Sequence, residues 1–142
     1  MKKNILIFMA VTVICSCTEN TPEELSYLVF DQELLVNHVE EDIKTDTAYI
    51  KGDQLYVKVI YSGCDATNAT LISAENFKES YPVQLDMKIK LGDPGLCEKI
   101  IHDEFTFELT AIKERYLKQY QEKSGTILLD IKNWDSLVEY IF

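Results

Sequence analysis

Between Val83 and Leu91 the chain alternates without exception: Val83, Leu85, Met87, Ile89 and Leu91 are apolar, and Gln84, Asp86, Lys88 and Lys90 are polar. A period of two belongs to a β-strand, whose successive side chains leave opposite faces. This run therefore predicts a strand with one face in a core. Leu55, Val57, Val59 and Tyr61 repeat the pattern, with Tyr56, Lys58 and Ile60 on the other face. Thr45-Asp46-Thr47-Ala48-Tyr49-Ile50 precedes it across the turn Lys51-Gly52-Asp53-Gln54, so the two segments predict a hairpin. Lys99 to Leu109 predicts a further strand, with Phe105, Phe107 and Leu109 inward and Thr106, Glu108 and Thr110 outward.

Shorter strands are expected at Ala69–Ser73, Thr126–Ile131 and Val138–Phe142, the last tucked into the sheet because its residues are apolar. Leu25 to Val39 has no clean period; a strand is expected there from about Leu34 onward. Tyr81-Pro82 begins an extended segment, since the residue before proline is pushed away from helical geometry. Asp93-Pro94-Gly95 carries turn chemistry. One segment departs from period two: Leu109, Ile112, Tyr116 and Tyr120 recur at helical spacing, and Ser124-Gly125 is expected to end that helix. The fold expected is all-β, an antiparallel β-sandwich of about seven strands with one short helix near residues 110–122.

The first residues follow a different logic. Lys2 and Lys3 precede the apolar run Ile5 to Ile14, and Ile14-Cys15-Ser16-Cys17 follows. That run is too short for a hydrocarbon core of ~30 Å, which takes about twenty helical residues to cross. The segment resembles a bacterial lipoprotein signal peptide, with Ile14 at the branched position and small Ser16 before the cut. Cys17 is then the lipidated residue. Cys15 is a poorer candidate, because bulky Ile14 would stand at the small-residue position. The expected organisation is a signal peptide at 1–16, a lipidated cysteine and tether at 17–24, and a single β-sandwich domain at 25–142. Several acyl chains would make membrane anchoring effectively permanent. Thr18 is not the aspartate that resembles an inner-membrane retention signal, so the expected address is the outer membrane, on its periplasmic face or the cell surface.

Charge narrows the partners. Removing Lys2 and Lys3 from the 14 basic residues leaves 12 against 24 acidic ones, a net charge of −12 for residues 17–142. A phosphate backbone needs a basic face, so nucleic acid is not an expected partner. An acidic surface suits a basic protein, cations, or solubility alone.

Cysteine usage is consistent with an oxidising compartment. Cys15 leaves with the signal peptide and Cys17 takes lipid, so Cys64 and Cys97 remain to form a disulfide. The rival is a metal site drawing on Cys64, Cys97 and His102 with Asp65, Asp93 or Glu98. No C-x-x-C spacing supports it, and neither His38 nor His102 has a second histidine or cysteine three or four residues away. No metal, no cofactor and no catalytic residue is therefore assigned.

Tyr61-Ser62-Gly63-Cys64, with Tyr81-Pro82, Leu96-Cys97-Glu98 and Phe105-Thr106-Phe107-Glu108-Leu109 downstream, resembles a group of small bacterial lipoproteins of unassigned function, found mainly in the Bacteroidota. The resemblance spans about Leu55 to Leu109. That group carries a Tyr-Ser-Gly-Gly-Cys turn, a histidine three residues after the cysteine, a second histidine before Asp-x-Cys, and a Phe-Asp-Leu strand. Here a single glycine precedes Cys64, Thr67 replaces the first histidine, Gly92 or its neighbours the second, and Glu108 the aspartate. The resemblance implies a lipoprotein with a cross-braced β domain that lacks any metal site those histidines would form.

No G-x-S-x-G elbow, glycine-rich phosphate loop or H-E-x-x-H is present. Glu40-Glu41-Asp42 with Asp46 lacks the spaced ligands and fixed glycine of a calcium loop and reads as a solvated face. Tyr49, Tyr56, Tyr61, Tyr81, Tyr116, Tyr120, Trp134 and Tyr140 are expected to pack in core or strands rather than line one ligand surface. The function expected is a membrane-anchored envelope lipoprotein, a non-catalytic binding or interaction module for a protein or small ligand. The alternatives are an inhibitor of a basic extracellular enzyme or a degenerate metal-binding protein.

Overall fold

The computed structural model describes residues 26–37, 43–132 and 134–142. The signal peptide, Cys17 and the tether lie outside these residues, as do His38 and the acidic run Glu40-Glu41-Asp42. The elements are β1 (Tyr27–Phe30), α1 (Gln32–Asn37), β2 (Lys44–Lys51), β3 (Gln54–Ser62), β4 (Ala69–Ser73), β5 (Val83–Leu91), β6 (Ile100–Glu108), α2 (Thr110–Tyr120), β7 (Thr126–Ile131) and β8 (Val138–Ile141). Among the described residues, eight strands form two sheets, one ordered β1-β4-β5-β7-β8 and the other β2-β3-β6. The all-β, two-sheet expectation holds.

Two points of that expectation are corrected. Pairing in the five-stranded sheet is mixed, because β1 runs parallel to β4 and β5 parallel to β7. After β5 the chain crosses to the other sheet as β6 and returns through α2, so β7 arrives in the direction of β5. β1 and β4 are likewise separated by the whole β2–β3 hairpin. The second point is Leu34, which stands in α1 and not in a strand. Asp31 caps that helix: its Oδ1 accepts the Leu34 amide at 2.7 Å and its carbonyl accepts the Leu35 amide at 3.0 Å. The first strand is therefore earlier, at Tyr27–Phe30.

Registry turns the alternating pattern into a core. Leu55, Val57 and Tyr61 of β3 lie opposite Phe107, Phe105 and Ile101 of β6. In the other sheet Leu85, Met87, Ile89 and Leu91 share a face with Leu71 of β4 and with Leu129 and Ile131 of β7. All of these are buried and form one cluster with Val138 and Tyr140. α2 closes one end of this core with Ile112 and Tyr116, and the Tyr116 ring meets Phe77 and Phe142 edge-on. The helix stops at Tyr120, before the expected Ser124-Gly125, because Gln121 takes a left-handed conformation with φ of 55°. Gly125 instead makes room for the Tyr116 ring, which a β-carbon there would overlap.

Candidate functional site

The end of the sandwich at which β3 leaves the sheet is held by covalent and backbone links. Cys64 and Cys97 form a disulfide across a Cα separation of 4.8 Å. The Cys64 amide donates to the Pro94 carbonyl at 2.6 Å, and the Gly63 amide donates to the Lys99 carbonyl at 3.0 Å. Glycine is required twice. A β-carbon on Gly63 would come within 2.6 Å of Pro94 Cβ, and Gly95 has φ of +74° with Cys64 Sγ 3.0 Å from the place a β-carbon would fill. Asp93 Oδ1 accepts the Gly95 amide at 2.9 Å and sets that turn. Since the two sulfurs are bonded to each other, neither is a thiolate ligand. Among the described residues, no three His, Cys, Asp or Glu side chains converge as a metal site. His102 stands on the outward row of β6, in register with Ile60.

Thr67 and Gly92 are neighbours in the structure. A β-carbon on Gly92 would overlap Thr67 Oγ1 and Asn68 Oδ1, and the Gly92 amide donates to the Asn68 carbonyl at 2.8 Å. Neither position supplies an imidazole. Next to them a hollow of about 690 Å³ is lined by Ile43, Tyr61, Ser62, Lys90 and Gly92 to Pro94.

β6 carries the feature that the sequence reading passed over. Asp103 lies opposite Val59 in the inward row, between Ile101 and Phe105. The Tyr61 hydroxyl donates to its Oδ2 at 3.2 Å, and the Thr67 amide donates to the Tyr61 oxygen at 3.3 Å. Burial raises the Tyr61 pKa, and the nearby Asp103 charge adds to the rise. The signal was available, since extending the Phe105/Phe107 alternation backwards puts a carboxylate in the core-facing phase at 103.

β6 is also an edge. It pairs with β3 along nine consecutive residues, and among the described residues no strand pairs with its other side, which β1 approaches. The Gly63–Lys99 and Asp53–Leu109 backbone bonds set the phase of the ladder, so odd-numbered residues bond β3. The backbone groups of Ile100, His102, Glu104, Thr106 and Glu108 therefore point outward. A cleft of about 550 Å³ beside this edge is lined by Asp103 to Thr106 and Glu108 of β6, with Gln54, Ser26 and Ala66 to Asn68. Its charged lining residues are Asp103, Glu104 and Glu108. Lys58 pairs with Glu104 from the outer sheet face at 3.4 Å.

Other polar clusters are closed on themselves. Tyr140 is fully buried and donates to Asp53 Oδ1 at 2.7 Å, while Lys113 Nζ reaches both Asp53 oxygens at 3.2 and 3.0 Å. The Tyr140 bond, followed by Lys113, holds the Asp53 pKa below its ordinary value. Burial and the Asp53 bond raise that of Tyr140. On the five-stranded sheet Lys78 bridges Asp86 at 2.5 Å and Asp130 at 3.5 Å. The aromatic residues do not share a surface. Tyr49 and Tyr56 stack on the outer face of the smaller sheet with centroids 5.0 Å apart, Tyr81 is fully exposed, and Tyr116 and Tyr120 sit beside Phe77.

No protein-family model and no curated protein matches the sequence. Among solved structures, the fold is similar to the crystal structure of a protein of unknown function, DUF1344, from Bacteroides vulgatus. The two are 12% identical with a TM-score of 0.45, over 82% of this chain and 55% of that one. This chain thus spans about half the length of that neighbour.

Proposed function

We propose that this chain is a lipid-anchored lipoprotein of the bacterial cell envelope, held at the outer membrane through Cys17, whose β domain is a non-catalytic binding module. The observation that carries the reading is the closed Cys64–Cys97 bridge. Such bridges persist in oxidising compartments such as the periplasm and cell surface, which is where a chain with the leader Lys2 to Cys17 is delivered. With those cysteines joined, the four sort without remainder. The alternative of a degenerate metal-binding protein built on Cys64, Asp65, Cys97 and His102 loses both thiolates.

The test is labelling of the full chain with radioactive palmitate in a bacterium that has an outer membrane. Wild type should carry label and sediment with outer membranes; Cys17→Ala should do neither. An unlabelled wild type overturns the anchor. The module reading is tested by crosslinking in envelope extracts, and recovery of nothing above background counts against it. A second reading, inhibition of a basic extracellular enzyme, is favoured by the carboxylate-lined cleft and the acidic composition. It predicts salt-sensitive binding to cationic hydrolases, and absence of binding at low salt ends it.

A further inference from the structure

We infer that the edge of β6, unpaired among the described residues, is a strand-addition site for a basic, extended polypeptide segment. The inference rests on the binding-module reading and names its partner class. Exposed sheet edges recruit extended chains through main-chain hydrogen bonds, and side chains at alternate positions supply selectivity. Natural edges are usually blunted by short length, bulges or proline. β1 and β8 are four residues each, and β2 has a register break between Thr45 and Thr47. β6 keeps nine regular residues with no proline.

What guards β6 is charge. Glu104 and Glu108 stand on one face, ~14 Å apart at a rise of ~3.4 Å per residue, and Asp103 stands on the other. Asp103 Oδ1 also accepts the Glu104 amide at 2.9 Å, which covers one of the outward donors. A cation that pairs with Asp103 draws this carboxylate off the amide, so a basic strand unlocks the edge that it then occupies. Other occupants meet repulsion. A second copy brings the same carboxylates edge to edge, and the chain's own segment before Ser26 carries Glu19, Glu23 and Glu24. The matching segment, paired antiparallel, places lysine or arginine opposite Glu108, Glu104 and Asp103.

The test uses the full chain in neutral detergent and a blocked nine-residue peptide of valine and threonine with lysine at its first, fifth and sixth positions. Binding is followed by fluorescence anisotropy, and its location by amide hydrogen exchange. The expected result is salt-sensitive binding with new protection at His102, Thr106 and Glu108. A peptide with glutamate at the three lysine positions should not bind. The variant D103N/E104Q/E108Q, in which each change keeps the shape of the side chain, should fold and bind the basic peptide on the order of tenfold or more weakly. No binding at low salt overturns the proposal, as does binding that protects amides elsewhere, binding unchanged in the variant, or edge protection that appears with protein concentration alone. Protection elsewhere overturns the edge and leaves the module reading standing; the module reading falls separately, if envelope crosslinking recovers no partner.

Discussion

The phenol of Tyr140 donates a 2.7 Å hydrogen bond to Asp53 Oδ1, joining the last strand to the β2–β3 turn across 87 residues of sequence. The Asp53 carbonyl also receives the Leu109 amide at 2.8 Å, and its carboxylate receives Lys113 of α2. A single turn residue thus ties hairpin, helix and terminal strand. Tyr140→Phe keeps the ring and removes the bond, and should lower unfolding stability by about 1–2 kcal/mol in urea titrations.

Asp53 also gives a pH signature. Its folded pKa lies below its ordinary value of 3.8, held down by the Tyr140 bond and then by Lys113. A depressed carboxylate stabilises the fold above the unfolded pKa and loses that contribution as pH falls through the folded one. The stability advantage of wild type over Asp53→Asn should therefore be constant at neutral pH and shrink below pH 3.8. Urea midpoints measured across the acid range check this, and an advantage that grows on acidification contradicts it.

The Cys64–Cys97 bridge, with its sequence separation of 33, removes loop freedom from the unfolded chain. The loop-entropy relation values such a link at about 4 kcal/mol. Cys64→Ser with Cys97→Ser should lower stability by roughly that amount, and thiol titration of the denatured, unreduced domain should find neither Cys64 nor Cys97 free.

Two glycines with positive φ should respond differently to alanine. Gly52, at φ of +62°, has no atom within 4 Å of its would-be β-carbon, so Gly52→Ala meets backbone strain alone, about 1 kcal/mol. Gly95 has the same strain plus Cys64 Sγ at 3.0 Å. Gly95→Ala should be the more destabilising by thermal unfolding, and reduction of the disulfide should narrow the gap.

Strands with a period of two and a single wet face were legible. Val83–Leu91 and Leu55–Tyr61 fall where the alternation put them, because burial of one face leaves no other register. α2 was legible from the spacing of Ile112 and Tyr116, both buried. α1 was missed although Asp31 stands three residues before Leu34, since a helix of six residues is too short to display a period.

The sequence by itself determined which faces of β3, β5 and β6 are buried and that a turn joins β2 to β3, because each follows from local geometry. Tertiary structure alone decided that β1 and β5 have parallel partners, that β6 is left as an edge, and that Asp103, Tyr61 and Thr67 meet beside it. Those outcomes depend on which sheet each strand joins, and strand exchange between sheets is set by packing between residues far apart in the chain, on which a period of two is silent.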